Sequence, residues 1–73
     1  MILSDIEKNS QFEIITIDNP ELRERLIEMG FCQGVKGRLL QRLPFGGPLV
    51  LQAGTCTFAL RKEDATCIHI QKI

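Results

Sequence analysis

Residues 18–31, DNPELRERLIEMGF, constrain the fold more than any other stretch, because they start one helix, stop it, and leave the rest of the chain to other structure. Asn19 is placed to cap the free N–H groups of the first turn, and Pro20 fits the first helical position, where its missing donor costs nothing. Glu21 stands at the positive end of the helix dipole. Leu22, Leu26 and Met29 follow the i, i+4, i+7 spacing of a buried stripe. Ile27 falls off that stripe, as flanking core or as part of an apolar contact patch, with core the more ordinary outcome. Glu21 and Arg25 are spaced to pair on the exposed side. Gly30 is the expected left-handed stop, and Phe31 falls where a Schellman motif makes its hydrophobic contact, against Leu26.

Everything else reads as β structure around that helix. Leu3 and Ile6 can pack as one helical turn, with Ser4 as its cap. The run QFEIITI, residues 11–17, is rich in β-branched residues and predicts a strand. Ile14, Ile15 and Ile17 cannot all face one side, which asks for a bulge or an apolar outer face. Gln33–Gly34 reads as a turn. In VKGRLLQRL, residues 35–43, alternation puts Val35, Leu39 and Leu43 on one face and Lys36, Arg38 and Arg42 on the other. A strand with Leu49, Leu51 and Ala53 inward follows, then a Gly54–Thr55 turn, then a strand with Cys56, Phe58 and Leu60 on one side. Residues 61–65, RKEDA, suit one helical turn, and Ile68 and Ile70 mark a last strand. The fold class expected is mainly β: a small, strongly bent barrel of about five to six strands, with one α-helix inserted after the first strand and its edges hidden by the bend.

Size and charge narrow the function. The chain has 73 residues, enough for a single small domain over 1–73 and too few for a deep enzyme cleft. Nine basic residues balance nine acidic ones, so the basic excess that usually accompanies duplex nucleic-acid binding is missing. No apolar run reaches the length of about 18 residues that a membrane span needs. The start MILSDIEKN lacks the pattern of a signal peptide. Cys32, Cys56 and Cys67 are odd in number and contain no CxxC pair, which fits reduced thiols rather than a disulfide framework. Cys56 and Cys67 read as half-buried strand residues. These features together predict a soluble protein of the cytoplasm.

The stretch LPFGGPLV, residues 43–50, has two glycines but no following helix and no GK[ST], so it is not a phosphate loop. Gly46 and Gly47 are expected to supply the positive φ angles of a hairpin turn that Pro44 and Pro48 stiffen. Phe45 at the tip either folds back over the core, the ordinary outcome for a large apolar side chain, or awaits a partner. His69 is the only histidine. With Cys67 on the same strand face, and Cys32 or a second molecule, it offers an adventitious soft-metal site at most. Lys36, Arg38 and Arg42 form a basic strand face that reads first as solvated and second as a phosphate or acidic-partner surface. No catalytic constellation has its spacing fixed by the sequence, so no enzyme is expected.

In order along the chain, RLIEMGF (residues 25–31), Gly34, the LPFGGPLV turn, Gly54 and ALRKEDA (residues 59–65) resemble the FeoA family of small ferrous iron transport proteins. The resemblance runs from about Leu3 to the last strand. Gly47, Gln33 and Ser10–Gln11 depart from the family's usual residues, all of them in turn chemistry. The resemblance implies an SH3-like β-barrel with its helix after the first strand. It also implies a non-enzymatic cytosolic accessory to FeoB, the membrane transporter of Fe(II). On that reading Leu26, Met29, Gly30 and Phe31 at the helix end and Pro44, Phe45 and Gly46 in the turn border an apolar groove that docks the transporter's cytosolic domain. One His and no clustered carboxylates leave no metal ligand set to expect, and no cofactor is expected. Two rivals are a direct Fe(II)-binding or sensing protein centred on His69, and a nucleic-acid-binding or peptide-binding small barrel. Self-association into a homo-oligomer is left open.

Overall fold

The computed structural model describes residues 1–73. A 3₁₀ turn (Leu3–Asp5) leads into β1 (Gln11–Ile17), α1 (Pro20–Glu28), β2 (Lys36–Arg42), β3 (Leu49–Ala53), β4 (Cys56–Leu60), the single turn α2 (Lys62–Ala65) and β5 (Ile68–Lys72). The five strands form one antiparallel sheet in the order β4-β3-β2-β1-β5. The molecule measures 27 × 23 × 22 Å, so the sheet must curl round its core rather than lie flat. No helix is long and apolar enough to cross a membrane.

Local sequence signals produce α1 as expected. The Leu22 amide donates to Asn19 Oδ1 at 3.1 Å, and Pro20 occupies the start. At the other end Gly30 has φ +78°. The Phe31 amide donates to the Leu26 carbonyl at 2.9 Å and the Gly30 amide to the Ile27 carbonyl at 2.9 Å. These are the two bonds of a Schellman motif. The ring of Phe31 goes inward, with centroids 6.2 Å from Phe12 and 5.0 Å from Phe58, both edge-to-face. Glu21 does not pair with Arg25; the partner of Arg25 is Asp64 of α2, at 3.8 Å. Met29, expected in the buried stripe, is 47% exposed, at the C-cap position where the helix ends. Ile27 is exposed as well. Ser4 makes no cap hydrogen bond, although Leu3 and Ile6 are buried as expected.

Two bulges explain where simple alternation fails. In β1 the pairing with β5 shifts between Ile14 and Thr16, so Ile14 and Ile17 are buried while Ile15 is exposed. In β2 the pairing with β3 shifts between Leu39 and Gln41. The extra residue Leu40 reverses the parity of everything after it. Arg42 therefore leaves the face of Lys36 and Arg38, and Leu43, expected with Leu39, is exposed. Cys56 is exposed, and Cys67 is half-buried in the turn before β5 rather than in a strand.

Gly37 shows how tightly the sheet packs. A Cβ there would lie 2.9 Å from the Gln52 carbonyl oxygen and 2.9 Å from Phe12 Cζ. Gly37→Ala is expected to cost about 1–3 kcal/mol, because neither a ladder carbonyl nor a fully buried ring can withdraw. A thermal melt measures this; an unchanged melting temperature would refute the close approach.

The two ends of the sheet are treated differently. The edge of β5 is covered by the N-terminus: Ile2 bridges His69 and the Ile70 amide donates to the Met1 carbonyl at 2.8 Å. β4 pairs with β3 alone. The bend was expected to hide both edges; at β5 the N-terminal segment does so instead, and β4 has no strand on its outer side.

Candidate docking site

A groove of about 200 Å³ runs between α1 and β4. The helix supplies Leu22, Leu26 and Met29, and the strand supplies Phe58, Ala59 and Leu60. These helix positions share one face by their spacing. Leu22, Leu26 and Leu60 are buried and form the floor. Arg25, Arg61 and Asp64 stand around it. Arg25 reaches Asp64 at 3.8 Å with 68% of its side chain exposed. Arg61 is exposed and makes no ion pair.

The structure brings together part of the residue set expected from the sequence. Leu26 and Met29 line the groove. Phe31 is fully buried in the aromatic cluster behind them, so it shapes the site from within and cannot touch a partner. Gly30, Pro44, Phe45 and Gly46 do not line the groove. The turn stands at the Leu60 end of β4, because Leu60 pairs with Leu49, which follows the turn directly. Sequence reasoning missed β4 as the second wall; its run of uncharged residues was the available signal.

The turn presents Phe45 rather than folding it back. The residue is 103% exposed, as free as in an extended peptide. The Gly47 amide donates to the Pro44 carbonyl at 3.2 Å, and φ is +61° at Phe45 and +70° at Gly46. Positive φ at both central residues is the type I′ pattern. The second left-handed residue is thus Phe45, where Gly47 was expected. For a bulky L-residue that conformation costs about 1–2 kcal/mol. No packing within the fold offsets that cost, since the residue is fully exposed.

Two other candidate clusters resolve into structural pairs. His69 Nε2 lies 2.6 Å from Asp18 Oδ2, across 51 positions of sequence. Cys67 Sγ turns toward the Glu63 carbonyl instead, and no group of three His, Cys, Asp or Glu side chains converges anywhere in the chain. Arg38 Nη1 donates to the Asn9 carbonyl at 2.9 Å, and Arg42 Nη2 donates to the Ile6 carbonyl. Two of the three cations of the supposed basic face therefore tie down the segment between the 3₁₀ turn and β1.

The family model of the FeoA domain matches residues 1–72. This chain belongs to the FeoA family. A curated relative, the Fe(2+) transport protein A/Fe(2+) transporter FeoB fusion protein of Porphyromonas gingivalis, is 30% identical over 74 residues. That alignment covers 100% of this FeoA chain and 9% of the fusion protein, so the chain spans a small part of that relative's length. Among solved structures, iron(II) transport protein A of Clostridium thermocellum superposes with a TM-score of 0.91 at 31% identity, over 100% of this chain and 46% of the other. FeoA of Stenotrophomonas maltophilia, a prokaryotic SH3 domain protein complexed with zinc, superposes with a TM-score of 0.82 at 29% identity, over 97% of this chain and 89% of the other. The five-stranded antiparallel sheet with its helix after β1 is thus the SH3-like fold of the FeoA family.

Proposed function

We propose that this FeoA-family chain is a non-enzymatic cytosolic accessory of ferrous iron uptake. It docks on the cytosolic part of a FeoB-type membrane transporter and regulates or assembles it. The observation that carries this reading is the fusion of a homologous FeoA sequence to FeoB in one polypeptide. A covalent linker sets a local concentration in the millimolar range for short flexible connections. Such linkage favours parts that work side by side. The groove between α1 and β4 supplies an apolar surface with Arg25, Arg61 and Asp64 at its rim, and the Phe45 turn supplies a second anchor. This is the anatomy of a recognition site, an apolar centre with a polar border.

The test is calorimetric titration of the chain with the cytosolic domain of its FeoB-type partner, then with anaerobic Fe(II) alone. Saturable heat with the domain and none with the ion is the expected result. Stoichiometric Fe(II) heat without the domain would transfer the function to His69 and Asp18, and His69→Ala would then abolish it.

A further inference from the structure

β4 is an edge strand without any of the devices that normally keep an edge unpaired. Its sequence, CTFAL, holds no charge and no proline, and its five pairs with β3 run without a register shift. Proteins usually guard such an edge with Lys, Pro, a bulge or a covering segment. This protein does so at β5, where Met1 and Ile2 lie along the outer side. The hairpin between β3 and β4 has the two-residue loop Gly54–Thr55, closed by the pair Ala53 and Cys56. In a two-residue hairpin that closing pair is hydrogen-bonded, and alternation follows from it. The peptide groups of Thr57 and Ala59 therefore point away from β3, and both residues are exposed. No backbone partner meets them.

We infer that β4 accepts an extended segment of the docking partner as an additional antiparallel or parallel strand, with alternate apolar side chains in the groove against α1 and an acidic side chain at the Arg61 end. Main-chain bonds to Thr57 and Ala59 would supply affinity, and the groove would read the side chains. The charge follows from the rim. Arg61 has no ion partner, and Arg25 holds Asp64 only at 3.8 Å, so the Leu60 end of the strand carries unneutralised positive charge. A carboxylate in the incoming segment completes it. This inference rests on the docking reading above and specifies its binding mode.

The test compares the full chain with Ala59→Pro and Ala59→Lys in titrations with the cytosolic domain of the FeoB-type partner. Proline removes an N–H that the folded chain does not use, and lysine is the natural edge guard. Amide hydrogen exchange on the wild-type complex is the second readout. Both variants are expected to bind about tenfold more weakly or worse, and the Thr57 and Ala59 amides of the wild type are expected to gain protection in the complex. If Ala59→Pro does not fold, the lysine variant and the exchange measurement still decide. Wild-type binding with unprotected Thr57 and Ala59 amides and an unaffected lysine variant would overturn strand addition while leaving docking intact. Absence of wild-type binding would overturn docking and the strand addition that depends on it. Protection of these amides in the isolated chain that grows with its concentration would assign the edge to a second copy and overturn the inference.

Discussion

Phe31→Ala is expected to destabilise the protein by about 3–5 kcal/mol, the range for a fully buried aromatic truncated in a core that cannot collapse. Phe31 has no exposed surface and joins the rings of Phe12 and Phe58 edge-to-face, each such pair adding about 0.5–1.5 kcal/mol beyond burial. It also ties α1 to β1 and β4, since its amide closes the helix and its ring reaches both strands. A protein of this size has a total stability of about 4–11 kcal/mol. The substitution therefore removes a large share of it, and the variant is expected to be partly unfolded at 37 °C. Urea denaturation measures the loss. A change below about 1 kcal/mol would mean that the aromatic cluster is not the centre of the core.

Phe45 is expected to behave in the opposite way. Phe45→Ala removes a ring that touches nothing, so its effect on stability is expected to stay within about 0.5 kcal/mol. Phe45→Gly also relieves the left-handed backbone at φ +61°, and it is expected to leave stability unchanged or to raise it by up to about 1 kcal/mol. Both variants are expected to weaken binding to the cytosolic domain of the FeoB-type partner by about 1–3 kcal/mol, as loss of an aromatic anchor does. Melting curves and titrations on the same samples separate the two effects. A large fall in melting temperature with unchanged binding would make Phe45 a core residue and remove it from the docking site.

The contrast between these two phenylalanines shows what the sequence could and could not reveal. The Asn19 cap, Pro20 and the Gly30–Phe31 stop are local signals, and local signals were enough for α1. The runs QFEIITI and CTFAL are equally local, and their strands fall where the β-branched and alternating residues lie. What failed to show depends on pairing between distant segments. The bulge at Leu40 is created by the register of β2 against β3, and it alone decides that Arg42 and Leu43 change faces. The His69–Asp18 pair joins the end of β1 to β5. Met29 lies on the predicted stripe, yet it falls at the C-cap of α1 and lines the open groove instead of the core.

The proposed docking surface was half legible for the same reason. The RLIEMGF helix end and the PFGGP turn both stand out in the sequence, and an apolar site between them was a natural expectation. The groove instead has β4 as its other wall, because the curl of the sheet carries β4 beneath α1. No spacing along the chain encodes that juxtaposition. The turn was legible as a reversal but not as a type I′ turn with Phe45 in the left-handed region, since Phe is not the residue such a position normally selects.

The central claim is that this FeoA-family chain meets its partner at the α1–β4 groove. The most direct measurement is an amide chemical-shift titration of isotope-labelled chain with the cytosolic domain of the FeoB-type transporter. Shifts concentrated in residues 22–31, in β4 and Arg61, and in the turn at 44–47 are the expected result. Shifts confined to Asp18, Cys67 and His69, with the groove undisturbed, would contradict it.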